Sequence, residues 1–167
     1  VQEVRNISAS RFPRTIDYLF ANPITKLSGL LFSNVARPRV ERVLSGLTAT
    51  PGCKFLDAYA DNFDLGQTAF VWNCPTVEEL RLRVAFVMQL SAPMLTKLVF
   101  PPQKGIFRRG SNIYCPMLQY ISIENCQHNS DGGVYGCFND NTLRLLTNHC
   151  HALHTVIIRD SHRRAIH

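Results

Sequence analysis

Apolar residues fall at fixed offsets from three cysteines. Cys74 is followed by Val77, Leu80 and Leu82, Cys115 by Leu118, Ile121 and Ile123, and Cys150 by Leu153, Val156 and Ile158. Agreement at every position in three copies marks an internal repeat. Ala92 stands in the cysteine's place in a fourth copy, which gives Leu95, Leu98 and Phe100. Weaker copies upstream set Leu27, Leu30 and Phe32 before Asn34, and Phe55, Ala58 and Ala60 before Asn62. The first apolar position recurs about every 25 residues, within the leucine-rich-repeat range. The step from Val77 to Leu95 is short, and the one from Leu118 to Leu153 requires an insertion.

The last two apolar positions of each copy lie two residues apart, so they share one face of a strand. Glu79 to Arg83 is the clearest case, with Leu80 and Leu82 inward. Val40, Val43, Leu44 and Leu47 after the first strand, and Leu143, Leu145 and Leu146 before Cys150, have helical spacing. Pro101-Pro102-Gln103-Lys104-Gly105 breaks any helix, so an irregular return is expected there. The pattern predicts an α/β fold: a leucine-rich-repeat solenoid, bent as a horseshoe arc. Short parallel strands line its concave face, and irregular helices and loops its convex face. About six repeats are expected, near 24–52, 53–73, 74–91, 92–114, 115–149 and 150–167, in a single domain over 1–167. A start at Val1, without Met, suggests a fragment or a processed chain.

The stretch CPMLQYISIENC from Cys115, an insertion, and NDNTLRLLTNHCHALHTVIIRD to Asp160 resemble the cysteine-containing repeats of F-box/leucine-rich-repeat proteins. In that family a cysteine ends each outer helix, a strand follows, and a second cysteine or Asn closes it. Cys74, Cys115, Cys126 and Cys150 match those positions, and the resemblance runs from residue 24 to residue 160. Asp-Gly helix starts are missing from most copies, and no F-box is visible. The resemblance implies a non-catalytic protein-binding surface, as in the substrate-binding part of a ubiquitin ligase, with cullin-ligase components among its partners.

Composition narrows this little. Hydrophobic residues make up 46% of the 167 positions, ample for a core. Lys plus Arg number 18 against 12 for Asp plus Glu, a formal charge of +6 that favours acidic partners. An acidic protein patch, nucleic acid and an anionic membrane surface all fit that sign. No apolar run is long enough to span a bilayer, so no membrane partner is expected. Asn6-Ile7-Ser8 is a glycosylation sequon by pattern, of a kind that arises often by chance.

The repeat accounts for four of the six cysteines, Cys74, Cys115 and Cys150 at its opening position and Cys126 at its closing one, where a small, weakly polar side chain packs well. No C-x-x-C pair occurs, which argues against zinc. Buried, unpaired thiols fit the cytosol or nucleus. Cys137, in the insertion, is the thiol expected to be exposed. His149, His151, His154 and His162 crowd around Cys150, which raises metal binding or Cys/His catalysis. A solvated terminus explains them more simply, since Cys150 should point inward and Arg163-Arg164 repel a cation. No phosphate loop, nucleophile elbow or zinc-protease element is present. The expectation is no enzyme, no metal and no cofactor.

The partner surface follows from the strand register. Asp57, Tyr59, Asp61, Glu79, Arg81, Arg83, Lys97, Tyr120, Glu124 and Arg159 line the concave face, with Val99, Ser122, Thr155 and Ile157 among them. Arg81, Arg83 and Lys97 should form a compact positive patch beside an acidic one at Asp57 and Asp61. Mixed charge with two tyrosines favours a protein partner with an acidic surface. A second candidate is the loop carrying Lys104, Phe107, Arg108 and Arg109. The Asn-, Asp- and Gly-rich insertion from Gln127 to Asp140 reads as a spacer. The alternatives are a basic nucleic-acid-binding surface through Arg81, Arg83, Lys97, Arg108 and Arg109, a structural scaffold subunit of a larger complex, and an enzyme built on Cys137.

Overall fold

The structure is a computed structural model and describes residues 3–9, 13–49, 52–60, 68–83, 88–100, 111–126 and 140–160. Its elements in chain order are β1 (Glu3–Ser8), α1 (Pro13–Ala21), β2 (Lys26–Phe32), α2 (Arg37–Ala49), β3 (Phe55–Ala60), β4 (Phe70–Asn73) and β5 (Glu79–Arg83). They continue with β6 (Met88–Ser91), β7 (Lys97–Phe100), β8 (Asn112–Tyr114), β9 (Tyr120–Cys126), α3 (Asp140–His149) and β10 (Thr155–Asp160). Among the described residues the strands form two sheets. A seven-stranded sheet has the order β1-β2-β3-β5-β7-β9-β10, and a three-stranded one the order β4-β6-β8. All neighbours in both are parallel. The result is a mixed α/β fold.

From β3 to β9 the chain passes between the two sheets at every step. Helix α2 packs beside β4, α3 beside β8, and α1 on α2, so helices extend the second layer at both ends. The core fills the space between. In the large sheet Leu27, Leu56, Leu80, Leu98 and Ile121 form one buried row across adjacent strands. In the small sheet Phe70, Trp72, Met88, Leu90 and Ile113 face them from the opposite layer. Alternation with period two sends every other side chain to the far face.

The turns entering the large sheet repeat one hydrogen-bond arrangement. The Thr25 carbonyl accepts the N–H groups of Lys54 and Phe55, that of Lys54 accepts Glu78 and Glu79, and that of Glu78 accepts Thr96 and Lys97. Thr96 and Gln119 carbonyls continue the series to Tyr120 and Thr155. Cys74, Ala92, Cys115 and Cys150 stand at the opposite corner, all buried. Leu95, Leu118 and Leu153 each donate an N–H to the carbonyl three residues earlier, on Ala92, Cys115 and Cys150.

Three expectations need correction. Helices and loops were expected opposite the large sheet throughout, yet β4, β6 and β8 pair there as strands. Only residues 84–96 connect β5 to β7, too few for a helix and its two turns, and an extended chain covers more than twice the distance per residue that a helix does; β4 and β8 pair with the strand β6 that results. The return before Cys115, expected to be irregular, ends in β8, while residues 101–110 lie outside the described residues, as do Asn62 and the insertion up to residue 139. Phe55 points outward, not into the core; Leu56, Ala58 and Ala60 are the inward set of β3. Strand β1 and helix α1 lie in a region to which the repeat pattern assigned no structure.

A bulge separates the first two strands from the rest. The register of β2 against β3 shifts between Leu27 and Leu30, with Gly29 at φ 67° and its neighbour Asn6 on β1 at φ 56°. A Cβ on Gly29 would lie 2.7 Å from Asn6 Oδ1. Gly29→Ala is therefore expected to cost about 1–3 kcal/mol from strain and clash together, read by denaturant unfolding. A loss below about 0.5 kcal/mol would mean that the bulge relaxes freely.

Candidate functional site

The outward face of the seven-stranded sheet gathers most of the residues singled out above. Its first row, read across the strands, is Glu3, Lys26, Phe55, Glu79, Lys97, Tyr120 and Thr155. Neighbours stand on adjacent strands about 4.8 Å apart, so each side chain reaches the next. Lys26 Nζ is 3.3 Å from Glu3 Oε1 and 5.2 Å from the centre of the Phe55 ring. The same acid, base and aromatic sequence recurs. Lys97 Nζ is 3.5 Å from Glu79 Oε1 and 5.4 Å from the Tyr120 ring centre.

Arg81 joins this second group from its own strand. Its Nε donates to Glu79 Oε1 at 3.0 Å, and its guanidinium carbon is 5.7 Å from the Phe55 ring centre. Glu79 is thus shared by two cations and is only 27% exposed, against 44% for Arg81 and 39% for Lys97. The cations at 81 and 97 are consequently not the free positive patch that strand adjacency predicts. At the sheet's first edge Arg5 and then Lys26 bond to Glu3 and hold its carboxyl below the usual value.

The second row runs Asp57, Arg81, Val99, Ser122 and Ile157. Asp57 Oδ2 accepts the Gly29 N–H at 3.2 Å, so the bulge helps to orient this carboxylate. Ser122, expected as part of the accessible face, is only 2% exposed between Val99 and Ile157, and its hydroxyl has no hydrogen-bond partner among the described residues. Its small side chain sits below the larger ones on either side. Tyr59 pairs with Arg83 in the third row. Of Glu124 and Arg159 the backbone alone is described; they lie opposite each other on β9 and β10. Asp61, Lys104, Phe107, Arg108 and Arg109 fall outside the described residues, as do Cys137 and His162.

The sequence reading did not select Glu3, Lys26 or Phe55 for this face. Alternation of Phe55, Asp57 and Tyr59 with Leu56, Ala58 and Ala60 was the available signal for Phe55. The far face of the small sheet is different in kind. Val71, Gln89 and Asn112 form one row and Asn73, Ser91 and Tyr114 the next, with no carboxylate or cation among them.

Buried thiols do not add chemistry. Cys53, Cys74, Cys115 and Cys150 are free and buried. Burial pushes the Cys53 thiol up to about 11 and Cys74 up to about 12, and raises Cys115 and Cys150 as well. A neutral thiol is a poor nucleophile and metal ligand. Among the described residues no group of three His, Cys, Asp or Glu is placed to hold a metal ion. His154 Nδ1 lies 2.8 Å from Thr155 Oγ1, and the His149 ring stands 6.3 Å from that of Tyr114. Neither histidine is near a described cysteine in a nucleophile–base contact. No described helix is long and apolar enough to cross a membrane. Comparison of the chain with known protein families, curated proteins and solved structures gives no match.

Proposed function

We propose that this chain is a protein-recognition module of the leucine-rich-repeat kind, with the outward face of the seven-stranded sheet as its binding surface. The observation that carries the reading is Glu79 shared between Arg81 and Lys97. Ion pairs of that kind leave a face of mixed charge, with aromatic rings beneath the cations. Tyr and Arg are enriched where proteins meet, and complementary charge chooses among partners. The recurring turn carbonyls and the corner positions shared by Cys74, Ala92, Cys115 and Cys150 support the repeat reading. The resemblance to F-box/leucine-rich-repeat proteins makes the substrate-binding part of a ubiquitin ligase the parent assembly to test. Free thiols suit the cytosol or nucleus.

Nucleic acid is the weaker alternative on the same observation. A polyanion gains affinity by releasing counterions from each phosphate neutralised, and cations already paired with Glu3 and Glu79 supply little of that. Wild-type protein should bind duplex DNA weakly, with a log–log salt slope of about one or less. Glu79→Ala, which frees Arg81 and Lys97, should steepen it towards two or three. A wild-type slope of several would favour the nucleic-acid reading instead.

The direct test is recovery of partners from cells under reducing conditions. Tagged protein should retain a defined set, including cullin-ligase components if the analogy extends that far. Arg81→Glu combined with Arg83→Glu should release the set. Retention at unchanged yield would remove this face as the binding surface.

A further inference from the structure

Five described cations stand on the outward face of the large sheet, and four of them, Arg5, Lys26, Arg81 and Lys97, pair with Glu3 or Glu79. Arg83 differs. It makes no ion pair or hydrogen bond among the described residues, and its Nε is buried with no acceptor. It lies at the end of β5, opposite Tyr59 on β3. A buried donor without a partner is a cost that an incoming acceptor relieves. Arg83 can also turn on its flexible stem to meet that acceptor without breaking any bond. Arg81 and Lys97 would first have to leave Glu79.

We propose that Arg83 anchors a single carboxylate, from an Asp or Glu side chain of the protein partner, with the Tyr59 hydroxyl as a second donor. The proposal rests on the reading above that this face meets a protein, and names what the partner must present. A guanidinium offers Nε–H and one terminal N–H side by side, which matches the two oxygens of a carboxylate. The surroundings favour a monoanion. Asp57 stands beside Arg81 on the same face, its carboxylate already bonded to the Gly29 N–H, and Glu79 lies on the same strand as Arg83. Glu79 is already neutralised by Arg81 and Lys97, so Asp57 is the carboxylate that penalises the second charge of a phosphate more than it penalises a carboxylate.

The test follows the Arg Nε–H resonances of the ¹⁵N-labelled full chain during titration with N-acetylglutamate methylamide. N-acetylglutamine methylamide serves as the neutral control, and inorganic phosphate as the dianion. The expected result is a saturable shift at Arg83, several-fold larger than at Arg81, with none from the glutamine probe and a weaker response to phosphate. Arg83→Lys should weaken the carboxylate probe at least about tenfold, since a lysine cannot make the paired contact. Tyr59→Phe, which keeps the ring, should weaken it less and provides the check if Arg83→Lys fails to fold. Equal shifts at Arg81 and Arg83, tighter binding of phosphate, or a response unchanged in both variants would overturn the proposal. A saturable Arg83 response in a protein that retains no partner would uphold the carboxylate site and sink the recognition reading. Partner retention indifferent to Arg83→Lys and to Tyr59→Phe would do the reverse.

Discussion

Trp72→Ala should cost about 3–5 kcal/mol of folding stability, and the much smaller change Thr48→Val about 1–3 kcal/mol. Trp72 is fully buried and stacks on Phe70, with ring centres 5.3 Å apart. Its Nε1–H donates to Thr48 Oγ1 at 2.7 Å, and that hydroxyl donates in turn to the Leu44 carbonyl at 2.8 Å. Thr48 is also fully buried. This short chain of bonds joins α2 to β4, the point where the second layer changes from helix to strand. Valine keeps the shape of Thr48 but removes the acceptor, leaving an indole N–H in a dry core. Trp72→Phe removes the donor instead, so Thr48 keeps its bond to Leu44 and the loss is one of volume alone.

Denaturant unfolding of the two single variants and of the double variant separates these terms. The double variant Thr48→Val with Trp72→Phe should lose less than the sum of the single losses, because no orphaned indole N–H remains in it. Strict additivity, or a Thr48→Val loss under about 0.5 kcal/mol, would mean that the bond contributes nothing beyond packing.

Trp72 also shows why part of the fold was hard to read from the sequence. Phe70-Val71-Trp72-Asn73 has strand alternation, but four residues are too few to distinguish a short strand from an irregular return. Pairing with Met88–Ser91 settles the matter, and that partner lies beyond an intervening strand of the other sheet. The strands of the large sheet were easier. Each of β5, β7, β9 and β10 begins at the same distance from Cys74, Ala92, Cys115 or Cys150, so one alignment locates them all. The same alignment puts Glu79, Lys97, Tyr120 and Thr155 in one row. Which cations Glu79 neutralises was not legible, because that depends on side-chain conformation as well as register.

The upstream error has a specific cause. In the later strands a spacing of three separates a turn residue, such as Val77, from the first inward strand residue, Leu80. In β2 the same spacing separates Leu27 from Leu30, where the bulge at Gly29 has inserted an extra residue within the strand. Leu27 therefore pairs with Leu56, and through it with Leu80. Ile24 and Cys53, both buried, precede those strand residues by the three positions that separate Val77 from Leu80. A bulge imitates the pattern it displaces, and spacing alone cannot expose it.

Raising the pH from about 8.5 to 11 should remove several kcal/mol of stability, through the buried thiols. Burial lifts Cys53 to about 11 and Cys74 to about 12 in the folded chain, and it raises Cys115 and Cys150 too. In the unfolded chain a thiol titrates near about 8.5. Above that value the unfolded state binds fewer protons than the folded one, so stability falls as pH rises. It is fully present below the unfolded pKa and is lost progressively up to the folded one. Each thiol withdraws on the order of 1.4 kcal/mol per pH unit across its window. Cys53 and Cys74 together thus approach a large share of the roughly 5–15 kcal/mol by which a domain is stable. Cys74→Ala isolates the effect, because Ala92 already occupies the matching corner one strand further on. That variant should lose some stability at pH 7 from the missing sulfur, yet decline less steeply between pH 9 and 11, by about 1.4 kcal/mol per unit. Alkylation at pH 8 should leave Cys53, Cys74, Cys115 and Cys150 unmodified until denaturant is added. An unfolding midpoint that does not move between pH 8.5 and 10.5, or rapid native-state labelling of Cys74, would show that these thiols meet solvent and that the corner Cys74 shares with Ala92, Cys115 and Cys150 is open.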